Sequence, residues 1–188
     1  HRDERTGSTP SVLLVTDTFG PLNPYNELAS AYENIAIHLG SNSFQVTVLY
    51  VGEESGALSK FSRDFASKRI NLVQLPSSGV NYGPSPSTTV SVDVFRWMLA
   101  QHKYNVAHFQ ANSGAGYYTL LAQQQGLTSW NSKFVVGLDS TSVHSLMQIN
   151  SGDDQGRSTD LESLKLEFMQ EKSVEYAVSF VDSPFEKK

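Results

Sequence analysis

The stretch from Ser11 to Gly40 reads S-V-L-L-V-T-D-T-F-G-P-L-N-P-Y-N-E-L-A-S-A-Y-E-N-I-A-I-H-L-G and sets the pattern for the rest of the chain. Its first part, Ser11–Thr16, is a short continuous aliphatic run, which is typical of a strand covered on both faces. From Glu27 onward apolar residues recur at helical spacing, and Gly40 stands at a C-cap position. The stretch predicts one βα unit whose strand lies at the centre of a parallel sheet.

The same alternation of strand and helix continues through the chain. Further strands are predicted at Phe44–Val51, Ile70–Leu75, Asn105–Gln110, Lys133–Leu138 and Ala177–Val181. Further helices are predicted at Leu58–Arg69, at Val90–Gln101, from an N-cap at Asn112 or Ser113 to Gln125, and from an N-cap at Asp160 to about Tyr176. The Ser-, Gly- and Pro-rich stretch Pro76–Thr89 is predicted to be a surface loop. Five or six strands in this order predict one α/β domain of three layers with a mainly parallel sheet.

Composition excludes several classes of function. The 188 residues carry 14 Lys plus Arg against 19 Asp plus Glu, and a net charge of -5 has the wrong sign for general nucleic-acid binding. Cysteine is absent, which removes disulfides and thiolate metal ligands. The histidines show no metal-ligand spacing, so we expect no metal site. No apolar run reaches the roughly 18 residues of a membrane span.

The chain is expected to be a piece of a longer protein. Residues 1–10 are polar and are expected to be a disordered or artificially added start, and residues 11–188 are expected to form the folded domain. Composition leaves the compartment open, with the cytoplasm as the favoured expectation.

In a parallel α/β sheet, ligands bind beyond the carboxyl ends of the strands. The loops at that edge are rich in small polar residues, which suit hydrogen bonds to hydroxyls better than a grip on phosphate. Gly114-Ala115-Gly116 opens a helix there, and its N–H groups could hold an anion or a sugar hydroxyl. The alternative is that these small residues allow close packing of helix on strand.

Three ionisable residues are candidates for chemistry at the same edge. His108 lies in an apolar strand, where it is either a satisfied core residue or a catalyst. Asp17 and Asp139 each follow a strand, a placement that suits a base or a hydroxyl acceptor. Aspartates in such positions also cap turns and helices, so that interpretation stays open.

Four segments in order resemble the family-4 glycosyltransferases, the group that includes glycogen and starch synthases. Asn105–Leu127, N-V-A-H-F-Q-A-N-S-G-A-G-Y-Y-T-L-L-A-Q-Q-Q-G-L, resembles their D-V-V-H-F-H-D-W-x-G-x-G-Y-Y segment. Lys133–Ser142, K-F-V-V-G-L-D-S-T-S, is similar to V-V-T-L-H-G-x-S, and Leu164–Pro184 is similar to their M-E-R-x-S-V-E-x-A-D-x-V-V-S-P-S helix and strand. Val12–Leu22 matches their first strand and loop in position and spacing.

The resemblance implies the amino-terminal, acceptor-side Rossmann-like domain of a two-domain enzyme of the GT-B architecture. It implies a retaining glycosyltransferase that moves a sugar from a nucleotide-sugar to a saccharide or other hydroxyl acceptor. The donor would be held mainly by the missing carboxyl-terminal domain, which is the expected partner, and neither a metal nor a further cofactor is implied. The 188 residues alone are therefore expected to be inactive.

The family motifs are only partly kept. Pro24-Tyr25-Asn26 stands where the family has a Gly-Gly pair, Gln110-Ala111-Asn112 stands in its H-x-H-D motif after His108, and Asp139 replaces the histidine of L-H-G. The resemblance assigns a weak catalytic role to Asp139 and a cleft lining of Thr18, Tyr25, Asn26, His108, Gln110, Asn112, Gly114, Gly116 and Ser140.

The lost motif groups support a second hypothesis, a catalytically degenerate domain that serves as a scaffold or carbohydrate-binding module. The order of strands and helices also permits a third, a flavodoxin-like or nucleotide-binding domain of unrelated function.

Overall fold

In the computed structural model the chain alternates between strands and helices. The described residues are 9–53, 56–80, 82, 85–101, 104–138, 160–177 and 179–182. Within them the strands are Ser11–Thr16 (β1), Gln45–Tyr50 (β2), Ile70–Gln74 (β3), Val106–Gln110 (β4), Lys133–Leu138 (β5) and Ser179–Asp182 (β6). The helices are Glu27–Ser41 (α1), Leu58–Ser67 (α2), Pro86–Gln101 (α3), Tyr117–Gln124 (α4) and Leu161–Tyr176 (α5). No described helix combines the length and the apolar character that crossing a membrane requires.

The six strands form one sheet in the order β3-β2-β1-β4-β5-β6, and each neighbouring pair is parallel. Strand β1 is central, and the chain runs outward from it first through β2 and β3 and later through β4, β5 and β6. The loops that follow β1 and β4 therefore diverge and leave a crevice at the carboxyl edge. The predicted three-layer α/β fold with a parallel sheet is confirmed.

Strand β1 supplies both hydrophobic cores because its side chains alternate between the two faces. Leu13 and Val15 belong to the core under α3, α4 and α5. Val12 and Leu14 belong to the core under α1 and α2. All four are at most 5% exposed, which explains why the strand reads as an unbroken aliphatic run.

Several helix boundaries differ from the sequence prediction. The predicted C-cap at Gly40 is wrong, because α1 runs to Ser41 and its C-cap is Asn42. Helix α2 ends at Ser67 rather than at the predicted Arg69. The predicted loop Pro76–Thr89 is wrong at its end, because α3 already begins at Pro86. Proline fits the first turn of a helix, where its missing N–H has no partner to lose. The predicted N-cap at Asn112 or Ser113 is also wrong, since Ala111–Ser113 form a 3-10 turn and α4 follows Gly116. The predicted N-cap Asp160 is confirmed: its carboxylate accepts from the Ser163 N–H.

Candidate functional site

A row of mostly polar side chains crosses the sheet at the carboxyl edge, on the face that carries α1 and α2. Strand register aligns Gln74, Tyr50 and Thr16 across β3, β2 and β1, and it aligns Gln110 with Gly137 across β4 and β5. Thr16 Oγ1 lies 2.5 Å from Gln110 Oε1 and joins the two halves of the row. We call these five residues the carboxyl-edge row.

The next row toward the amino ends is apolar apart from one residue. It consists of Leu72, Val48, Leu14, His108 and Val135. The carboxyl-edge row therefore lies on a hydrophobic layer, and His108 is the titratable group within that layer.

Thr16 is the centre of a small buried network. Its hydroxyl accepts a hydrogen bond from the Thr18 N–H at 3.1 Å and lies 2.7 Å from the Thr18 carbonyl oxygen. The Gln110 Nε2 atom is buried and has no hydrogen-bond partner among the described residues. If the amide is turned by 180°, Nε2 faces the Thr16 hydroxyl and Oε1 becomes the atom without a partner. One polar atom of the Gln110 amide is thus unpartnered in either orientation.

The Thr18 hydroxyl adds a second buried and unpartnered group beside the same crevice, judged over the described part of the chain. Most buried polar atoms in native proteins are hydrogen-bonded, and leaving one unpaired costs about 1–3 kcal/mol. The predicted cleft residues Thr18 and Gln110 are thus brought together through Thr16, a residue that the sequence analysis did not single out.

His108 is a neutral histidine on the inner side of this site. Burial lowers its pKa from 6.5 to about 4. Its Nδ1 is buried without a hydrogen-bond partner among the described residues, and its ring makes an edge contact with Tyr32 at 5.5 Å between centroids. Near pH 7 the imidazole can donate or accept one hydrogen bond but carries no charge.

Gly137 makes room for that imidazole. A Cβ atom at position 137 would lie 2.6 Å from Cε1 of His108, 2.7 Å from Nε2 and 3.3 Å from the Tyr32 hydroxyl. Any larger residue would push the ring out of place, since such short contacts are not tolerated. Because position 137 of β5 has no side chain, the His108 ring, with its Nε2, can occupy the space beside it.

Gln74 lies at the β3 end of the carboxyl-edge row. Its Nε2 donates to the carbonyls of Tyr50 and Gly52 at 3.3 and 3.1 Å, while its Oε1 is buried and unpartnered within the described residues. The Tyr50 hydroxyl lies 3.4 Å from Oδ1 of Asn23 in the loop after β1. The row therefore links β3 to the first loop of the crevice.

Asn26 and Tyr25 play different parts from those that the resemblance assigns. Asn26 is the N-cap of α1, and its Oδ1 accepts from the Ala29 N–H at 3.1 Å. Tyr25 has a left-handed backbone with φ of 73° and a side chain that is fully exposed, at 104%. The structure thus uses the Asn26 oxygen to cap the start of α1 and leaves the Tyr25 ring in solvent.

Gly114 and Gly116 both have structural reasons to be glycine. Gly114 has a φ of 62°, and a Cβ there would lie 3.2 Å from Leu166 of α5. A Cβ at Gly116 would lie 2.7 Å from the ring of Phe109. Close packing, the alternative considered for these residues, is what the structure shows.

The N–H groups around this turn are already engaged. Gly114 donates to Ala111, and Tyr117 donates to the carbonyl of Gly114. The amides of Ala115 and Tyr118 donate to the hydroxyls of Ser113 and Ser91. The start of α4 therefore offers few free N–H donors for an anion, although the helix dipole there would favour negative charge.

Asn112 is tied to α5 rather than to the carboxyl-edge row. Its carbonyl accepts from Nε2 of Gln170 at 2.8 Å. The predicted cleft residues thus separate into a group at Thr16 and a group that packs on α5. Asp139 and Ser140 lie outside the described residues.

The carboxyl edge carries little charge. The described loops after β1, β2, β3 and β4 contain the acids Asp17 and Glu53 but neither Lys nor Arg. Among the described residues no three His, Asp or Glu side chains are grouped so that they could hold a metal ion.

Sequence reasoning missed Thr16, Gln74, Tyr32 and Gly137. Strand alternation could have found the first two, because each is the last residue of its strand on the face whose earlier members are aliphatic. Tyr32 and Gly137 depend on contacts between distant elements, which no local pattern carries.

Comparison with known proteins defines the fold further. No family model and no curated protein matches the chain. A UDP-glucosyltransferase from Polygonum tinctorium, capable of glucosylating indoxyl and solved with 3,4-dichloroaniline, is similar in structure with a TM-score of 0.60 at 14% identity. A protein assigned as a UDP-N-acetylglucosamine 2-epimerase from Listeria monocytogenes is similar with a TM-score of 0.50 at 10% identity.

Both solved structures have the GT-B fold. The likeness covers 96% and 94% of this chain but only 47% and 40% of those two chains. The chain thus spans about half of the length of the proteins it resembles, and its fold is that of a GT-B Rossmann-like domain.

Proposed function

We propose that this chain is the acceptor-side half of a two-domain glycosyltransferase that moves a sugar from a nucleotide-sugar to a hydroxyl acceptor. The observation that carries the proposal is the extent of the likeness: nearly all of this chain corresponds to 47% of a UDP-glucosyltransferase. A GT-B cleft lies between two Rossmann-like walls, and a chain of this extent supplies one wall. The order of the four family-4-like segments supports the amino-terminal half.

The character of the carboxyl-edge row supports a sugar-facing role. Amide and hydroxyl groups pair with sugar hydroxyls, whereas a diphosphate calls for Lys, Arg or free backbone amides. The described loops at this edge contain neither basic residue. We therefore assign the acceptor to this half and the diphosphate of a UDP-sugar to the missing half.

Each polar residue has a role that follows from its chemistry. The unpartnered amide atom of Gln110 and the Thr18 hydroxyl are buried in the ligand-free chain, and in the proposal they turn toward the crevice to orient acceptor hydroxyls. His108, in the next row toward the amino ends of the strands, is neutral near pH 7 and so places no charge beneath the reacting sugar. Asp139, one residue beyond β5, is the proposed acceptor of a hydroxyl proton or the group that fixes the donor sugar.

Ligand titration of the 188-residue chain tests whether this half binds the acceptor while the other half binds the UDP-sugar. In NMR titrations we expect mono- and disaccharides to shift the side-chain amide of Gln110, and we expect UDP to shift nothing at the carboxyl edge. With the saccharides, the backbone amide of Thr18 should shift as well. A Gln110→Met variant should lose the shift at Thr18, and Gln124→Met, at an exposed position of α4, is its matched control. Tight UDP binding or sugar transfer by this chain alone would contradict the proposal.

Turnover of the longer protein tests the reaction itself. An Asp139→Asn variant keeps the size of the side chain and removes its basicity, so we expect a large loss in kcat with little change in KM. Unchanged turnover would remove Asp139 from the mechanism.

A catalytically degenerate sugar-binding domain is the second candidate, and a specific observation favours it. Asn26 is already engaged as the N-cap of α1, and most N–H groups around Gly114 and Gly116 form hydrogen bonds within the chain. These positions therefore do not bind a nucleotide-sugar. Such a domain would bind saccharides at Gln110, but the longer protein would neither transfer nor hydrolyse any nucleotide-sugar. Product analysis with a panel of UDP-sugars separates the two candidates.

A further inference from the structure

A groove lies at the amino-terminal end of the sheet, opposite the carboxyl-edge row. It has a volume of about 660 Å³ and is bordered by the first residues of β1, β2 and β3 and by the residues just before β4. Hydroxyl and amide side chains dominate its lining. We call it the amino-end groove, and the proposed transferase chemistry makes no use of it.

A buried pair of polar side chains lines the groove. Thr47 and Tyr104 are 8% and 7% exposed, and a hydrogen bond joins their side chains. Tyr104 is also held by the Trp97 ring, which stacks on it at 6.1 Å between centroids. The hydrogen bond and the ring stack hold these two hydroxyl groups in place at the wall of the groove.

Two amide side chains at the groove are ready to pair with a ligand. Gln45 and Asn71 are exposed, and their side chains make no hydrogen bond to any described residue. They stand on the neighbouring strands β2 and β3, near the starts of both. Amides in this position can donate to and accept from hydroxyl groups.

Arg69 supplies the one positive charge of the groove lining. It follows the C-cap of α2 with a φ of 63°, a position that usually belongs to glycine because other residues are strained there by about 1–2 kcal/mol. The guanidinium is exposed and forms no ion pair within the described residues. An uncompensated arginine held in a strained turn is a ready partner for an oxyanion.

Local charge agrees with that assignment. The segment from Lys60 to Arg69 carries four of the 14 basic residues and a single acid, Asp64, in a chain whose net charge is -5. An anion that approaches this end of the molecule therefore meets a locally positive surface.

We propose that the amino-end groove is a second binding site, which takes a small hydroxylated molecule bearing one oxyanion group, carboxylate or phosphate. The Arg69 guanidinium binds the oxyanion through two parallel N–H donors. Gln45 and Asn71 bind the hydroxyls, and Thr47 with Tyr104 forms the surface beneath the ligand. The carboxyl-edge row takes uncharged hydroxyls, so the two ends of the sheet select ligands of different charge.

NMR titration with glucuronate, inorganic phosphate and glucose tests the site in the 188-residue chain. Glucuronate should shift the side-chain amides of Gln45 and Asn71, phosphate should shift the Arg69 guanidinium signal, and glucose should act more weakly than glucuronate. The oxyanion source is carboxylate if glucuronate binds more tightly than phosphate, and phosphate in the reverse case. If neither anion shifts these signals more than glucose does, the proposal is wrong.

Arg69→Gly is the decisive variant because glycine fits the left-handed backbone and the substitution removes the side chain with its guanidinium. We expect glucuronate and phosphate to bind at least about tenfold more weakly, the loss of one charged hydrogen-bonding group. Arg63→Gln in α2 removes an equal charge outside the groove lining and should keep binding within about twofold. Ser43→Gly relieves the same kind of backbone, with a φ of 68°, and controls for the turn. Equal losses in Arg69→Gly and Arg63→Gln would mean a diffuse charge effect and overturn the site.

Discussion

The hydroxyl oxygen of Thr16 lies 2.5 Å from Oε1 of Gln110, a residue 94 positions away in the chain. Both residues end central strands, β1 and β4, and both are at most 2% exposed. This side-chain contact joins the carboxyl ends of the two strands on either side of the crevice, beyond their backbone hydrogen bonds. The first prediction concerns this contact.

Thr16→Val should destabilise the domain by about 1–3 kcal/mol, because the Thr18 N–H and the Gln110 amide lose their buried partner. Valine has the same shape, so packing contributes little to the loss. Urea unfolding measures the change. Gln110→Met in the Thr16→Val background should cost less than Gln110→Met alone, by at least about 0.5 kcal/mol. Additive losses would show that the two side chains are not coupled.

His108 should make the domain less stable in acid. Its folded pKa of about 4 lies below its ordinary 6.5, so the unfolded chain binds more protons between these values and stability falls as the pH drops from about 6.5 to 4. The full effect is on the order of 3 kcal/mol. Unfolding of His108→Leu should lose this part of the pH dependence. Leu14→Met, at the partner position in β1, should lower stability at every pH without changing the slope.

Alanine in place of glycine should separate packing from backbone strain. Gly114→Ala and Gly126→Ala share a φ above 60°, but only at Gly114 does a Cβ meet a neighbour, Leu166. We expect both variants to lose about 1–2 kcal/mol from the backbone, and Gly114→Ala to lose more.

Gly116→Ala should cost about 1–3 kcal/mol through its clash with Phe109. Gly56→Ala has open space and should change stability little. Thermal unfolding measures all four glycine variants. A Gly116→Ala protein as stable as Gly56→Ala would mean that Phe109 yields without cost.

Asn26 should contribute through its oxygen rather than its amide nitrogen. Asn26→Ala removes the cap on Ala29 and should cost about 1 kcal/mol. Asn26→Asp keeps the oxygen and adds a favourable charge at the helix start, so it should be at least as stable as the wild type. Retained saccharide binding in both variants would agree with a purely structural role, whereas loss of binding in Asn26→Asp alone would mean that the amide contacts ligand.

The sequence predicted the elements but misplaced several of their ends. Local patterns gave β1, α1 and the Asp160 cap, because an aliphatic run, helical spacing and a capping carboxylate act over a few residues. They failed at Pro86, which begins a helix where composition indicates a loop, and at Gly114, whose left-handed turn postpones α4. Tertiary contacts decided both positions: Ser85 donates to Glu162 of α5, and the amide of Tyr118 is held by Ser91 of α3.

What the sequence determined by itself is the parallel sheet and the low charge of its carboxyl edge, since both follow from residue type and order. What only the tertiary structure decided is which of those polar groups act together. Thr18 and Gln110 meet through Thr16, while Asn112, Gly114 and Gly116 are taken up by packing on α5 and Phe109. The physical reason is that a polar side chain acts through its hydrogen-bond partner. In this fold that partner belongs to a strand or helix that is distant in the sequence.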